Sequence, residues 1–164
     1  MTPLTTIIAA VIMSLRPEVP QEKATVFAAA IEKASRKYEI EWSLLTAILR
    51  RESHFQEKNI SRTSDYGIGQ HHCPSFYCGK KPTPEQRACL LDAECNIDLT
   101  AQELIYKIKT CKRLGKRCTD FVQMYNPHSK GYAARTRAMQ REIEDLARKK
   151  RLLMDRVVAE RPIL

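Results

Sequence analysis

Glu52 closes a run, Leu44-Leu45-Thr46-Ala47-Ile48-Leu49-Arg50-Arg51-Glu52-Ser53, whose apolar spacing predicts an amphipathic helix from Trp42 to Glu52. Leu45 and Ile48 precede Glu52 by seven and four residues, so all three share one helical face. A carboxyl held against an apolar face loses hydration. This disfavours its charged form and raises its pKa, as a general acid working near neutral pH requires. Further on, Ser64-Asp65-Tyr66-Gly67-Ile68-Gly69-Gln70 forms a polar, turn-rich segment suited to the opposite wall of a cleft. It carries a second carboxylate, Asp65, open to two interpretations: a partner acid for Glu52, or a turn cap bonded to its own backbone. His54, His71, His72 and His128 show no nucleophile-and-orienter pattern and are expected at the surface or in a binding cleft.

The elements that must position these groups read as helices. With 164 residues, 43% apolar and 29% charged, the chain has the length of one domain with a real core. Its 5 glycines and few β-branched runs favour helix over sheet. Leu4 to Leu15 is an uncharged apolar run, too short to span a bilayer, and residues 1–20 are assigned to an N-terminal core helix. Pro17 and Pro20 separate it from a helix over Gln21 to Tyr38, striped by Phe27, Ile31, Ala34 and Tyr38. Residues 56–83 change to loop chemistry, with Asn59, Pro74 and Gly79 among the turn formers, and suit a loop or small β-hairpin. Thr83-Pro84-Glu85 reads as a helix start. Ile97, Ala101, Leu104 and Ile108 mark another helix, and Asp120 to Tyr125 a short one. After the break at Asn126-Pro127-His128-Ser129, a long basic helix over 132–160 carries Met139, Ile143, Leu146, Leu153 and Val157 on one stripe. Arg141, Arg148, Lys149 and Arg151 lie opposite. Tyr132, just past the break, suits either the core or a sugar-stacking position.

The net charge of +9 points to an anionic partner, although charge alone does not choose among nucleic acid, acidic lipid and wall polymer. Basic residues in 107–117 have sparse aromatic interleaving, and no nucleic-acid motif occurs, so no specific nucleic acid is expected. The basic face of the last helix is solvated or touches an anionic envelope surface. Cys73, Cys78, Cys89, Cys95, Cys111 and Cys118 are even in number and crowded into one stretch, as in a disulfide framework formed in an oxidising compartment. Cys111–Cys118 is the preferred local pair and Cys73–Cys78 the second. Zinc held by His71, His72, Cys73 and Cys78 is the weaker alternative, because that spacing matches no common structural site, and reduced core thiols remain open. The N-terminus has no basic region before its apolar run, and Arg16 to Pro20 is a poor cleavage site, so there is no clear signal peptide. Periplasm or cell envelope, with delivery by a phage, reconciles these features.

In order along the chain, four motifs resemble those of the lysozyme-like superfamily, in particular its SLT-type (goose-type-like) lytic transglycosylases. Leu44 through Phe55 looks like the catalytic helix ending in Glu-Ser. Gly67-Ile68-Gly69-Gln70 is similar to the Gly-Leu-Met-Gln turn, with Gly69 in place of Met. Cys95-Asn96-Ile97 falls where an Asn-Ile precedes a helix, and Met124-Tyr125-Asn126 resembles Ala-Tyr-Asn. The resemblance implies a mainly α, lysozyme-like domain spanning 1–164 that acts on peptidoglycan glycan strands as a monomer, without metal or other cofactor. It implies cleavage of the MurNAc-β-1,4-GlcNAc bond with closure of a 1,6-anhydro ring, Glu52 serving as acid and then base. Ser53 would orient Glu52 or contact substrate. Tyr66, Gly67, Ile68, Gln70 and Asn96 would line saccharide subsites, and Tyr125 and Asn126 would hold Glu52 or an N-acetyl group. Ser64 to Gln70 is also similar to the Asp-bearing turn of c-type lysozymes, which implies hydrolysis by Glu52 with Asp65 as the alternative. A non-catalytic murein- or nucleic-acid-binding module is the third expectation.

Overall fold

The computed structural model describes residues 2–159 except 74–76 and 80, with side chains described through Leu153. In chain order its helices are α1 (Pro3–Leu15), α2 (Gln21–Tyr38), α3 (Trp42–Ser53), α4 (Pro84–Leu90), α5 (Ala93–Leu114) and α6 (Tyr132–Ala159). Two short strands, β1 (Asp65–Tyr66) and β2 (His71–His72), lie between α3 and α4. Two 3-10 turns, Gly115–Arg117 and Phe121–Met124, lie between α5 and α6.

Local chemistry accounts for the helix ends. The Thr2 hydroxyl accepts the Thr5 N–H to start α1. Thr83 and Gln86 form a reciprocal capping box on α4, with Pro84 in its first turn. The Asp92 carboxylate accepts the Cys95 N–H at 2.9 Å, so α5 begins at Ala93 and Asn96 lies inside its first turn rather than ahead of the helix. His54 and Phe55, with φ of 58° and 64°, stop α3 just past Glu52.

The core is formed where α1, α2, α3 and α5 meet. Ile8, Ile12, Ile31, Leu45, Ile48, Leu49, Ile97 and Leu104 are all fully buried there. Each contributes about 1.5–3 kcal/mol of apolar burial. α6 packs along α1 and α3 through Ile143 and Ala147, against Val11 and Ala47. Its apolar stripe is buried only that far: Leu153 is 56% exposed because the helix outruns the faces of α1 and α3. The side chain of Val157 and residues 160–164 lie outside the described residues. Among the described residues, no helix is long and apolar enough to cross a membrane.

The expected hairpin is reduced to a two-residue antiparallel ladder, Asp65 opposite His72 and Tyr66 opposite His71, with Ile60 bridging Tyr66. Three local disulfides stiffen this and the following segments: Cys73–Cys78, Cys89–Cys95 and Cys111–Cys118, with Cα–Cα separations of 4.9, 5.3 and 5.2 Å. The first pairing leaves neither sulfur as a thiolate for zinc. Thiol titration of the unreduced, denatured protein is expected to find about zero free thiols per chain; a result near six would refute the bridges.

Candidate active site

Glu52 sits on the last turn of α3, with Leu45 and Ile48 of the same face fully buried beneath it. Its Oε1 accepts a hydrogen bond from the Tyr132 hydroxyl. Tyr132 is only 2% exposed, at the first turn of α6. The Tyr132 ring lies nearly parallel to that of Tyr125, 6.4 Å away, and the Arg51 guanidinium sits 5.1 Å from its centre. Burial pushes the Glu52 carboxyl up to about 6; the Tyr132 hydrogen bond and Arg51 oppose the rise, while Asp65 and Glu103 add to it. An acid so placed is protonated or ionised in comparable amounts near pH 6, which suits proton transfer in both directions.

The turn after β1 is built by buried polar groups rather than by regular structure. Asn96, 1% exposed, accepts the Gly69 N–H at 2.7 Å and donates to the carbonyls of Tyr66 (3.1 Å) and Leu90 (2.7 Å). Ser53 is buried and donates to the Ile68 carbonyl at 2.7 Å, tying α3 to the turn. Tyr125 donates to the Gly69 carbonyl at 2.9 Å from the other side. Gly67 adopts φ +74°, and a Cβ there would stand 2.0 Å from the Leu90 carbonyl oxygen. A Cβ at Gly69 would stand 2.1 Å from the Thr100 hydroxyl, which accounts for glycine where the resembling family carries methionine.

A groove of about 540 Å³ opens in front of Glu52. Asp65, Gln70 and His72 face it from the turn, Glu103 and Lys107 from α5, and Tyr125 and Asn126 from the segment before α6. Burial pushes the Asp65 carboxyl upward, but hydrogen bonds from Thr63 (2.6 Å), Ser61 (2.7 Å) and His72 (2.8 Å) outweigh it and hold the group below its usual range. Glu103 behaves alike: burial raises it, and buried His71 at 3.2 Å with Lys107 at 3.3 Å overcome that and keep it ionised. Glu52 is thus the neutral-tending acid in a groove whose other carboxylates are charged. A second depression, between α2 and α5, is lined by the ion pairs Lys33–Glu94 and Lys37–Asp98 and holds no such acid.

The residues expected around the site divide into two groups. Glu52, Asp65, Gln70, Tyr125 and Asn126 line the groove. Ser53, Tyr66, Ile68 and Asn96 are buried behind it, where they shape the wall. The expected hold on Glu52 comes from Tyr132, seven residues after Tyr125, whose own hydroxyl is spent on Gly69. Glu103 carried no expectation, and His71, expected at the surface or in a cleft, is instead buried behind the groove against Glu103. Glu103 falls on the helical stripe beside Leu104 and carries no motif, while His71 stands in an ordinary polar run.

A helical body with one desolvated carboxyl at the end of a buried helix, facing a small turn across a groove, defines the lysozyme-like class. The model of the transglycosylase SLT domain family matches residues 29–146, well over half of the chain, and the chain belongs to that family. No curated protein and no solved structure gives a match. The family acts on peptidoglycan by cleaving glycosidic bonds.

Proposed function

We propose that this protein is a lytic transglycosylase that cleaves the β-1,4 bond between N-acetylmuramic acid and N-acetylglucosamine, with Glu52 as its single acid and base. The supporting observation is the carboxyl raised to about 6 in a groove otherwise furnished with ionised acids. In the first step Glu52 gives its proton to the glycosidic oxygen as the C1–O bond breaks. In the second, the Glu52 carboxylate takes the proton of the muramyl 6-hydroxyl as that oxygen bonds to C1, closing the anhydro ring. The proton is returned and no water is consumed. Tyr132 orients the carboxyl through both steps, and its hydrogen bond offsets the charge of the ionised form. Gln70, Tyr125 and Asn126 contact the sugars, while Ser53, Tyr66, Gly67, Ile68 and Asn96 hold the wall. The chain works as one catalytic domain, as a monomer, in the cell envelope.

Hydrolysis with Asp65 as the second carboxylate is the alternative, favoured by its place in the same groove. Against it, both Asp65 oxygens are engaged by Ser61, Thr63 and His72. Mass spectrometry of muropeptides released from purified sacculi separates the two. Products ending in 1,6-anhydromuramic acid are expected; reducing ends would establish hydrolysis, and no release by folded protein would remove the enzyme assignment.

The pH profile follows from the same carboxyl. The protonated form starts the reaction, and its fraction falls about tenfold per pH unit above the folded pKa. kcat/KM is therefore expected to decline as pH rises through about 6. A profile flat from pH 5 to about 8 would show that Glu52 is not the acid.

A further inference from the structure

Arg51 precedes Glu52 in the last turn of α3 and is half-buried. Its guanidinium carbon lies 5.1 Å from the centre of the Tyr132 ring, within the range at which a cation is attracted to an aromatic face. The hydroxyl of that same ring is the donor that holds Glu52. Among the described residues Arg51 makes no ion pair and no side-chain hydrogen bond, and its buried Nε has no acceptor. A buried donor left unmatched costs stability and calls for an explanation. Complementing the α3 dipole accounts for a cation in the last turn, as Arg50 also supplies, but not for one lying on an aromatic ring. Contact with substrate does not account for it either, because Arg51 is not among the residues that line the groove.

Four groups act on Glu52: Tyr132 from α6, Arg51 from its own helix, Asp65 from β1 and Glu103 from α5. Asp65 and Glu103 favour the protonated acid, and Arg51 is the cation that opposes them. Arg51 also acts on the ring. Burial and the Glu52 charge push the Tyr132 hydroxyl well above its ordinary range, and Arg51 draws it back. A cation over the face of a phenol withdraws electron density from it, which makes the hydroxyl a stronger donor.

We propose that Arg51 is a positioning residue: its guanidinium, lying on the Tyr132 ring, strengthens the Tyr132 hydrogen bond to Glu52 and so favours the carboxylate that acts as base in ring closure. The proposal rests on the acid-then-base role of Glu52 put forward above. That role needs one group in two states. Asp65 and Glu103 favour the form that gives the first proton, and Arg51, through Tyr132, favours the form that takes the second.

The test uses the full chain, with initial rates on purified sacculi at limiting and saturating concentration from about pH 5 to 8. In Arg51→Met the fall of the limiting rate should move to higher pH by about one unit, because a cation that favours the carboxylate is gone. The saturated rate should drop about tenfold, with the half-saturating concentration within about twofold of the parent. Arg51→Lys keeps the charge without the planar group, so it should restore the pH position and only part of the rate. Tyr132→Phe removes the hydroxyl through which Arg51 acts. In that background Arg51→Met should lower the saturated rate less than about twofold. A loss equal at every pH, as a merely structural role would give, overturns the proposal. So does a loss of about tenfold that persists beside Tyr132→Phe. Circular dichroism checks the fold, and Arg51→Gln repeats the comparison if methionine unseats the helix. Failure of the transglycosylase assignment would appear instead as reducing ends in the muropeptides, which none of these rate comparisons decides.

Discussion

Glu52→Gln will lower turnover on sacculi by about 10⁴-fold, the upper range for general acid–base catalysis, because one carboxyl serves both steps. The amide keeps the size of the side chain and can still accept the Tyr132 hydroxyl, so the fold is retained. Stability should move the other way. The folded pKa of Glu52 lies near 6, above the ordinary 4.5, so the folded state binds the extra proton between those values. The stability this contributes is present at low pH and is lost as pH rises through about 6. The rise corresponds to about 2 kcal/mol as an upper figure. The Gln variant does not ionise and should melt higher than the parent at pH 7.5, with no such gain at pH 4. Thermal melts at both pH values, alongside muropeptide release, check this. Residual activity within about tenfold of the parent would sink the assignment of Glu52.

Asn96→Ala will be the most destabilising single change near the groove. It strips partners from the Gly69 N–H and from the Tyr66 and Leu90 carbonyls in a site closed to water. Each buried group left unsatisfied costs about 1–3 kcal/mol, so a loss of about 4 kcal/mol is expected after partial relaxation. The loss falls on the turn opposite Glu52, so activity should drop at temperatures where α1, α2 and α3 remain helical. Denaturant unfolding gives the stability change, and far-ultraviolet circular dichroism with parallel activity assays gives the local effect. A loss below about 1 kcal/mol would mean that the turn does not depend on this side chain.

Much of the fold was legible along the chain. Pro17 and Pro20, the cap at Thr83 and the stripes through Phe27, Ile31, Ile97 and Leu104 are local signals, and the helices follow them closely. The helix that carries Glu52 was legible for the same reason: Leu45, Ile48 and Glu52 share a face by periodicity alone. The limit appears at Leu153, where periodicity foretold a continuous stripe. Whether a stripe is covered depends on the length of the partner helices, and α6 extends past them.

Local order along the chain was enough for the helices, the carboxyl at the end of α3 and the chemistry available to the turn, because backbone propensity and side-chain spacing are short-range properties. Packing alone settled that Tyr132 holds Glu52, that Asn96 and Ser53 brace the wall instead of lining it, and that Glu103 joins the groove with buried His71 behind it. Those contacts join residues as far apart as Glu52 and Tyr132, separated by 80 positions. The packing of α3, α5 and α6 brings them together, and no local pattern along the chain encodes that packing.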